Sequence, residues 1–358
     1  MTRSPHPRSG SCCREPSNES HATLILRRGI RQVASAIAVG LSLGWFGCGG
    51  GAAPPPKNPD PPLVDAPSDE VVTPSSAEVQ QGIEAIQAGD FAGAKSILTK
   101  AHDESPEDPQ AAFYLGVALE GLQDFAGAEE MYRKALLSDA KLTEASVNLS
   151  ALLLDGAKFE DALTVIDAGL SYAPKHGDLL TNRAIVLEAQ GKSSEALAAF
   201  AKAVEVAPEN SELRIGYADL LAKAGKTEQA KNELKSAGNT DNPAVVGAVA
   251  TRLGRLKAFA ECVAVLDRAI ANKPLADFHV RRGVCRHELK DDPGALKDYE
   301  AALALDPKFA AAHYYAGMHF RETGNTAKAV EHLKQAAELG KGSGMGQRAA
   351  AVVEELKK

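Results

Sequence analysis

The sequence predicts an all-α solenoid of stacked helical hairpins, and three observations carry that expectation. The stretch Asp90-Phe-Ala-Gly-Ala94 returns letter for letter as Asp124-Phe-Ala-Gly-Ala128, 34 residues later. Prolines 106, 174, 208, 274 and 307 recur at that interval or close multiples of it. Hydrophobic residues make up 44 % of the chain but aromatics only 5 %, a balance suited to close helix contacts rather than to β-sandwiches, which want β-branched and aromatic side chains. Self-similarity at a period of a few tens of residues is the mark of stacked repeats.

From Ser75 the chain divides into 75–108, 109–142, 143–176, 177–210, 211–242, 243–275, 276–309 and 310–343. Position 8 of these units is always small (Gly82, Gly116, Ser150, Ala184, Ala218, Ala250, Gly283, Gly317), and position 20 is alanine except for Cys262. Position 24 is a large plug: Leu98, Tyr132, Ile166, Phe200, Leu234, Leu266, Tyr299 and Leu333. Two helices that touch at small residues, with a large side chain filling the gap beside them, explain the pattern. Glycines 89, 191, 225 and 324 suit the left-handed residue that ends a first helix, and the prolines stop the second helix, since the ring clashes with a continuing turn. One hairpin cannot bury its apolar face alone, so neighbours stack.

This frame resembles the tetratricopeptide repeat. The resemblance implies eight helix-turn-helix repeats wound into a right-handed superhelix, with first helices lining a concave groove that holds a partner protein. After the eighth repeat, residues 344–358 carry Ala350, Val353 and Leu356 at helical spacing, as expected of a capping helix with one polar face.

Ahead of the repeats lies a different kind of sequence. Arg27, Arg28 and Arg31 precede Val33–Gly47, fifteen residues without a charge. That is short for a bilayer span of about 20 residues and right for a signal segment. Gly47-Cys48 closes it and resembles the end of a bacterial lipoprotein signal peptide, although Trp45 and Phe46 depart from the usual pattern. The resemblance implies a signal sequence over 1–47 and a lipid on Cys48; Gly49, where aspartate means inner-membrane retention, implies the outer membrane of a Gram-negative envelope. Residues 48–74 then form a proline-rich linker, with too little apolar surface to offset the entropy of ordering.

Charge bounds the function. The chain carries a net −7, yet residues 1–47 hold six arginines against two glutamates, leaving −11 for the rest. Nucleic acid, whose binding is dominated by Lys and Arg on phosphates, is excluded as a partner. No cysteine pair shows zinc spacing, and the glycine-rich 340–346 lacks the order of a phosphate loop. His279, Cys285 and His287 are close in sequence but diverge on a helix. No metal, cofactor, catalytic set or small-molecule substrate is expected, and the chain reads as a non-catalytic binding protein. Cys262 and Cys285 fall on neighbouring helices; a disulfide in an oxidising compartment and a small buried Cys262 in an alanine slot are both open.

Transferred to this frame, the groove positions of the family give Glu120, Glu144, Asp155, Asp178, Glu188, Glu212 and Asp219 in repeats 2–5. Repeats 6–8 give Arg255, Val280, His287, Tyr314, Met318 and Arg321. An extended segment or helix in the groove is therefore expected to be basic at one end and to carry a few hydrophobic side chains. The bland reading is that these charges solvate an exposed face. Val79 and Ile83 stand where a carboxylate clamp has Lys and Asn, which disfavours chaperone tails. Two other functions stay open: a soluble secreted adaptor without lipid, and an accessory subunit of, or catalyst in, cell-wall chemistry, the latter around Asp155, Glu188 and Asp219.

Overall fold

A computed structural model describes residues 74–357; the signal segment, Cys48 and nearly all of the linker lie outside the described residues. Among the described residues all regular structure is helical. A first compact unit ends at Val186. It holds α1 (Ala77–Gln87), α2 (Phe91–Glu104), α3 (Pro109–Gly121), α4 (Phe125–Ser138), α5 (Thr143–Asp155), α6 (Phe159–Tyr172) and most of α7 (Gly177–Ala189). A second unit starts at Leu187. After the end of α7 it holds α8 (Ser193–Val206), α9 (Ser211–Lys223), α10 (Thr227–Ala237), α11 (Pro243–Arg255), α12 (Phe259–Asn272) and α13 (Ala276–Glu288). It closes with α14 (Asp292–Leu305), α15 (Ala310–Glu322), α16 (Thr326–Leu339) and α17 (Gly344–Leu356). Helices pack on their sequence neighbours, and first helices also touch the first helix of the next hairpin, as in α1–α3, α9–α11 and α13–α15. The fold class is the expected one: an all-α stack of sequential hairpins.

The recurring Asp-Phe-Ala-Gly-Ala has a local cause. Asp90 caps α2, accepting from the backbone N–H of Gly93 at 2.8 Å, and Asp124 caps α4 through Gly127 at 3.1 Å. A Cβ on Gly93 would stand 2.2 Å from the Asp90 carboxylate. Glycine there lets the capping carboxylate close onto the helix end, where unpaired N–H groups need an acceptor. The alanine that follows, Ala94 or Ala128, is wholly buried.

Position 8 meets position 24 as its size demands. A Cβ on Gly82 would lie 2.4 Å from Leu98, and one on Gly116 would lie 2.6 Å from Tyr132. The turn between paired helices is left-handed in all eight hairpins. Glycines fill it at 89, 191, 225 and 324, but Gln123, Ala157, Lys257 and Lys290 take it with φ of 63°, 54°, 56° and 67°. The five proline-stopped helices end two residues before their proline, at Glu104, Tyr172, Val206, Asn272 and Leu305.

Two details differ from, or settle, the sequence reading. The buried stripe of α17 is Gly346, Ala349 and Val353, with Leu356 partly buried, whereas Ala350 is exposed. Spacings of three, four and three follow 3.6 residues per turn better than repeated steps of three. Cys262 on α12 and Cys285 on α13 are joined as a disulfide, their Cα atoms 6.5 Å apart.

Candidate partner-binding faces

Successive first helices meet through a recurring slot: position 12 of one repeat faces position 13 of the next. In the second unit, where both members of the slot are titratable, an acid meets a base. Lys223 donates to Glu188 at 2.5 Å, and His287 Nε2 lies 3.5 Å from Glu322. Arg321 reaches Glu355 of the capping helix α17 at 2.7 Å. A related contact ties Arg252 to both oxygens of Asp219, at 2.9 and 3.0 Å. His287 Nδ1 also lies 2.8 Å from Asp292.

In the first unit the same slot holds Glu120 and Asp155, two carboxylates. Glu120 sits at the end of α3 and accepts from the Tyr132 hydroxyl at 2.7 Å, while Asn148 donates to the Tyr132 oxygen at 3.3 Å. Burial raises the Glu120 carboxyl; the Tyr132 hydrogen bond opposes that shift, and the charge of Asp155 adds to it. Asp155, the last residue of α5, is exposed at the end of its helix, and partial desolvation of its carboxyl raises it to about 6. Tyr132 is itself raised well above its ordinary value, by burial and then by the charge beside it. Each shift expresses one fact: negative charge is costly here without a cation. Glu144 is exposed and Asp178 half-buried on the same run of first helices; burial, and after it the charge of Glu144, raises Tyr114.

Val280 and Tyr314 leave the predicted partner-facing set. Val280 is 4 % exposed and packs with Ala302 and Ala312, and Tyr314 is 7 % exposed against Leu333, Ala349 and Val353. Met318 is partly buried on that second cluster. The capping helix and neighbouring hairpin occupy the apolar surface a partner would need. Arg255 is exposed and Glu212 half-buried. Sequence reasoning missed the pairing of position 12 with the next position 13, although writing the repeats in register brings Glu120 and Asp155 together.

The carboxylates suggested for catalysis are not a matched acid–base set. Glu188 and Asp219 are engaged by Lys223 and Arg252. His279 turns to Asp298 at 3.3 Å, apart from His287 and its own partners. Among the described residues no group of three or more His, Cys, Asp or Glu side chains could hold a metal ion. Among them, too, no helix is long and apolar enough to cross a membrane.

Two family models, each described as tetratricopeptide repeat, match this chain. One covers residues 85–141 and 187–253, the other 148–203, 250–307 and 293–344; between them they span well over half of it. No curated protein matches. Among solved structures, yeast Tom70 is 18 % identical with a TM-score of 0.45, covering 94 % of this chain and 72 % of its own. MamA of Desulfovibrio magneticus RS-1 is 19 % identical with a TM-score of 0.41, covering 45 % of this chain and 94 % of its own. A tetratricopeptide repeat protein from Parabacteroides merdae is 17 % identical with a TM-score of 0.39, covering 78 % and 98 %.

Proposed function

The chain belongs to the tetratricopeptide-repeat family, and from that premise we propose that it is a non-catalytic protein-binding scaffold whose first unit receives a basic segment of its partner. Repeats of this family generally bind other proteins. The observation that carries the basic partner is the Glu120–Asp155 slot. Two equivalent slots in the second unit pair a carboxylate with a basic side chain supplied within the fold, Lys223 or His287, whereas this one holds two carboxylates. A lysine or arginine arriving from a partner supplies the missing cation and stabilises both.

The test is Asp155→Lys, which places in the first unit the pair that Glu188 and Lys223 form in the second. Wild-type protein is expected to bind a lysine-rich peptide, more weakly as salt rises, and an acidic peptide of equal length not at all. The variant is expected to lose the basic peptide while keeping its helix content. Unchanged binding by the variant removes this face from the function.

We further propose that the scaffold faces the periplasm as an outer-membrane lipoprotein that recruits or assembles envelope complexes, held through lipid on Cys48. The support is the charge-free run Val33–Gly47 after three arginines, with Cys48 following Gly47. Expression in a Gram-negative host, with intact-mass analysis of the membrane fraction, tests it. A diacylglyceryl-modified Cys48 as the first residue, with release to the soluble fraction in Cys48→Ala, is the expected result. A mature chain without lipid supports instead the soluble secreted adaptor.

A further inference from the structure

Positions 4 and 23 of each repeat face one another across the hairpin, and where they are polar they form a second recurring slot. In the fifth repeat it holds Arg214 and Glu233, paired at 2.5 Å. In the seventh it holds His279 and Asp298, with Nδ1 3.3 Å from the carboxylate. In the eighth it holds two imidazoles: Nδ1 of His313 on α15 lies 3.1 Å from Nδ1 of His332 on α16. Here two imidazole nitrogens face one another where those two repeats set a basic side chain against a carboxylate.

Both rings are held in place. Nε2 of His313 is 3.0 Å from the carbonyl oxygen of Pro307. A carbonyl can only accept, so Nε2 carries the proton and Nδ1 turns its lone pair toward His332. A backbone carbonyl in that role is what commonly fixes the tautomer of a metal-ligating histidine. His332 stacks on Phe320, ring centroids 5.5 Å apart. If His332 carries its proton on Nε2 as well, two lone pairs flank one point in space, with no change in net charge. At metal–nitrogen bonds of about 2.0–2.1 Å, donors this far apart subtend roughly 95–102° at the metal, near the angle between adjacent ligands in square-planar or octahedral sites.

We propose that His313 and His332 form a binding site for a late first-row divalent cation, Cu²⁺ ahead of Ni²⁺ or Zn²⁺, through their facing Nδ1 atoms, with water completing the coordination. Imidazole donors select these ions over Mg²⁺ and Ca²⁺, and the order of affinity places Cu²⁺ first. The site is independent of the partner-binding face in the first unit.

The test uses the full chain with free thiols blocked by iodoacetamide, so that Cys12, Cys13 and Cys48 take no copper, and a substoichiometric amount of Cu²⁺. Electron paramagnetic resonance of the wild type is expected to show hyperfine coupling to two imidazole nitrogens. His332→Gln is expected to weaken binding at least about tenfold, the scale on which disturbing a metal ligand's surroundings acts. Combining His313→Arg with His332→Glu installs the pair that the fifth repeat uses, and should keep the helical circular dichroism while losing the two-nitrogen signal. Copper held with the same affinity and coupling in either folded variant, or no two-nitrogen signal in the wild type, overturns the proposal.

Discussion

Between first helices of the second unit, acid meets base: Glu188 with Lys223, His287 with Glu322, Arg321 with Glu355. In the first unit the corresponding place holds Glu120 against Asp155, and their carboxyls are raised rather than neutralised. The two units use the same hairpins and the same small-residue contacts, so backbone architecture does not distinguish them. What distinguishes them is whether the fold supplies the counter-charge. A face whose charges are satisfied internally has little electrostatic energy left for a partner; a face carrying a like-charge pair gains when a cation arrives.

The largest expected effect breaks the second unit's network. Asp298 is 2 % exposed and receives Arg282 and Arg286 as well as His279. Asp298→Ala takes the buried carboxylate from Arg282 and Arg286, which keep only the more exposed Asp267 and Asp291, and is expected to cost toward the lower end of the about 3–5 kcal/mol for breaking a buried ion pair. Asp155→Ala in the first unit, measured by the same urea unfolding, is expected to cost nothing electrostatically, because it removes a repulsion. A comparable loss in both variants would erase the distinction drawn between the units.

Next in size is the disulfide, another tie of the second unit. Cys262 and Cys285 close a loop with a sequence separation of 23, for which chain entropy gives a stabilisation of about 3 kcal/mol. Reduction is expected to lower hydrogen-exchange protection in α12 and α13 and to leave α1 to α6 unchanged. Loss of protection in the first unit instead would mean that the two units do not unfold separately.

The hairpins were legible in the sequence because close helix approach admits few residue types. Gly82 and Gly116 tolerate no Cβ beside Leu98 and Tyr132, so the spacing of small residues carries the fold in plain view. Which side chains reach a partner was less legible. Val280 and Tyr314 stand at groove positions, but position sets only a direction on the helix. Whether a neighbour covers that direction depends on packing, here on Ala312 and on Val353 of α17. The disulfide and the His313–His332 contact cross between helices, with no local motif to announce them. The Glu120–Asp155 slot was readable in principle, since its two members fall at fixed positions of adjacent repeats.

A smaller effect sharpens the comparison through pH. A carboxyl raised in the folded chain, as Asp155 is to about 6, binds protons more tightly folded than unfolded. Its stabilising contribution is therefore full below the unfolded value near 4, and is lost as pH rises through about 6. The thermal midpoint of the first unit is expected to rise between pH 7 and pH 5, and Asp155→Asn to flatten that rise. Glu120, raised as well, contributes with the same sign. A midpoint that falls on acidification would show that Asp155 already has a cation within the fold.

The smallest effect should be equal in both units, and so separates backbone from charge. Ala157 in the first unit and Lys257 in the second hold left-handed turns with φ of 54° and 56°. That conformation costs a non-glycine residue about 1–2 kcal/mol, while glycine brings back roughly 0.5–1 kcal/mol of extra freedom in the unfolded chain. Ala157→Gly and Lys257→Gly are each expected to stabilise by about 0.5 kcal/mol, measured by urea unfolding of the full chain. Equal gains would leave the electrostatic slots as the difference between the units. A gain confined to one of them would mean that its turn is strained by its own surroundings, and that the hairpins are less alike than their shared contacts imply.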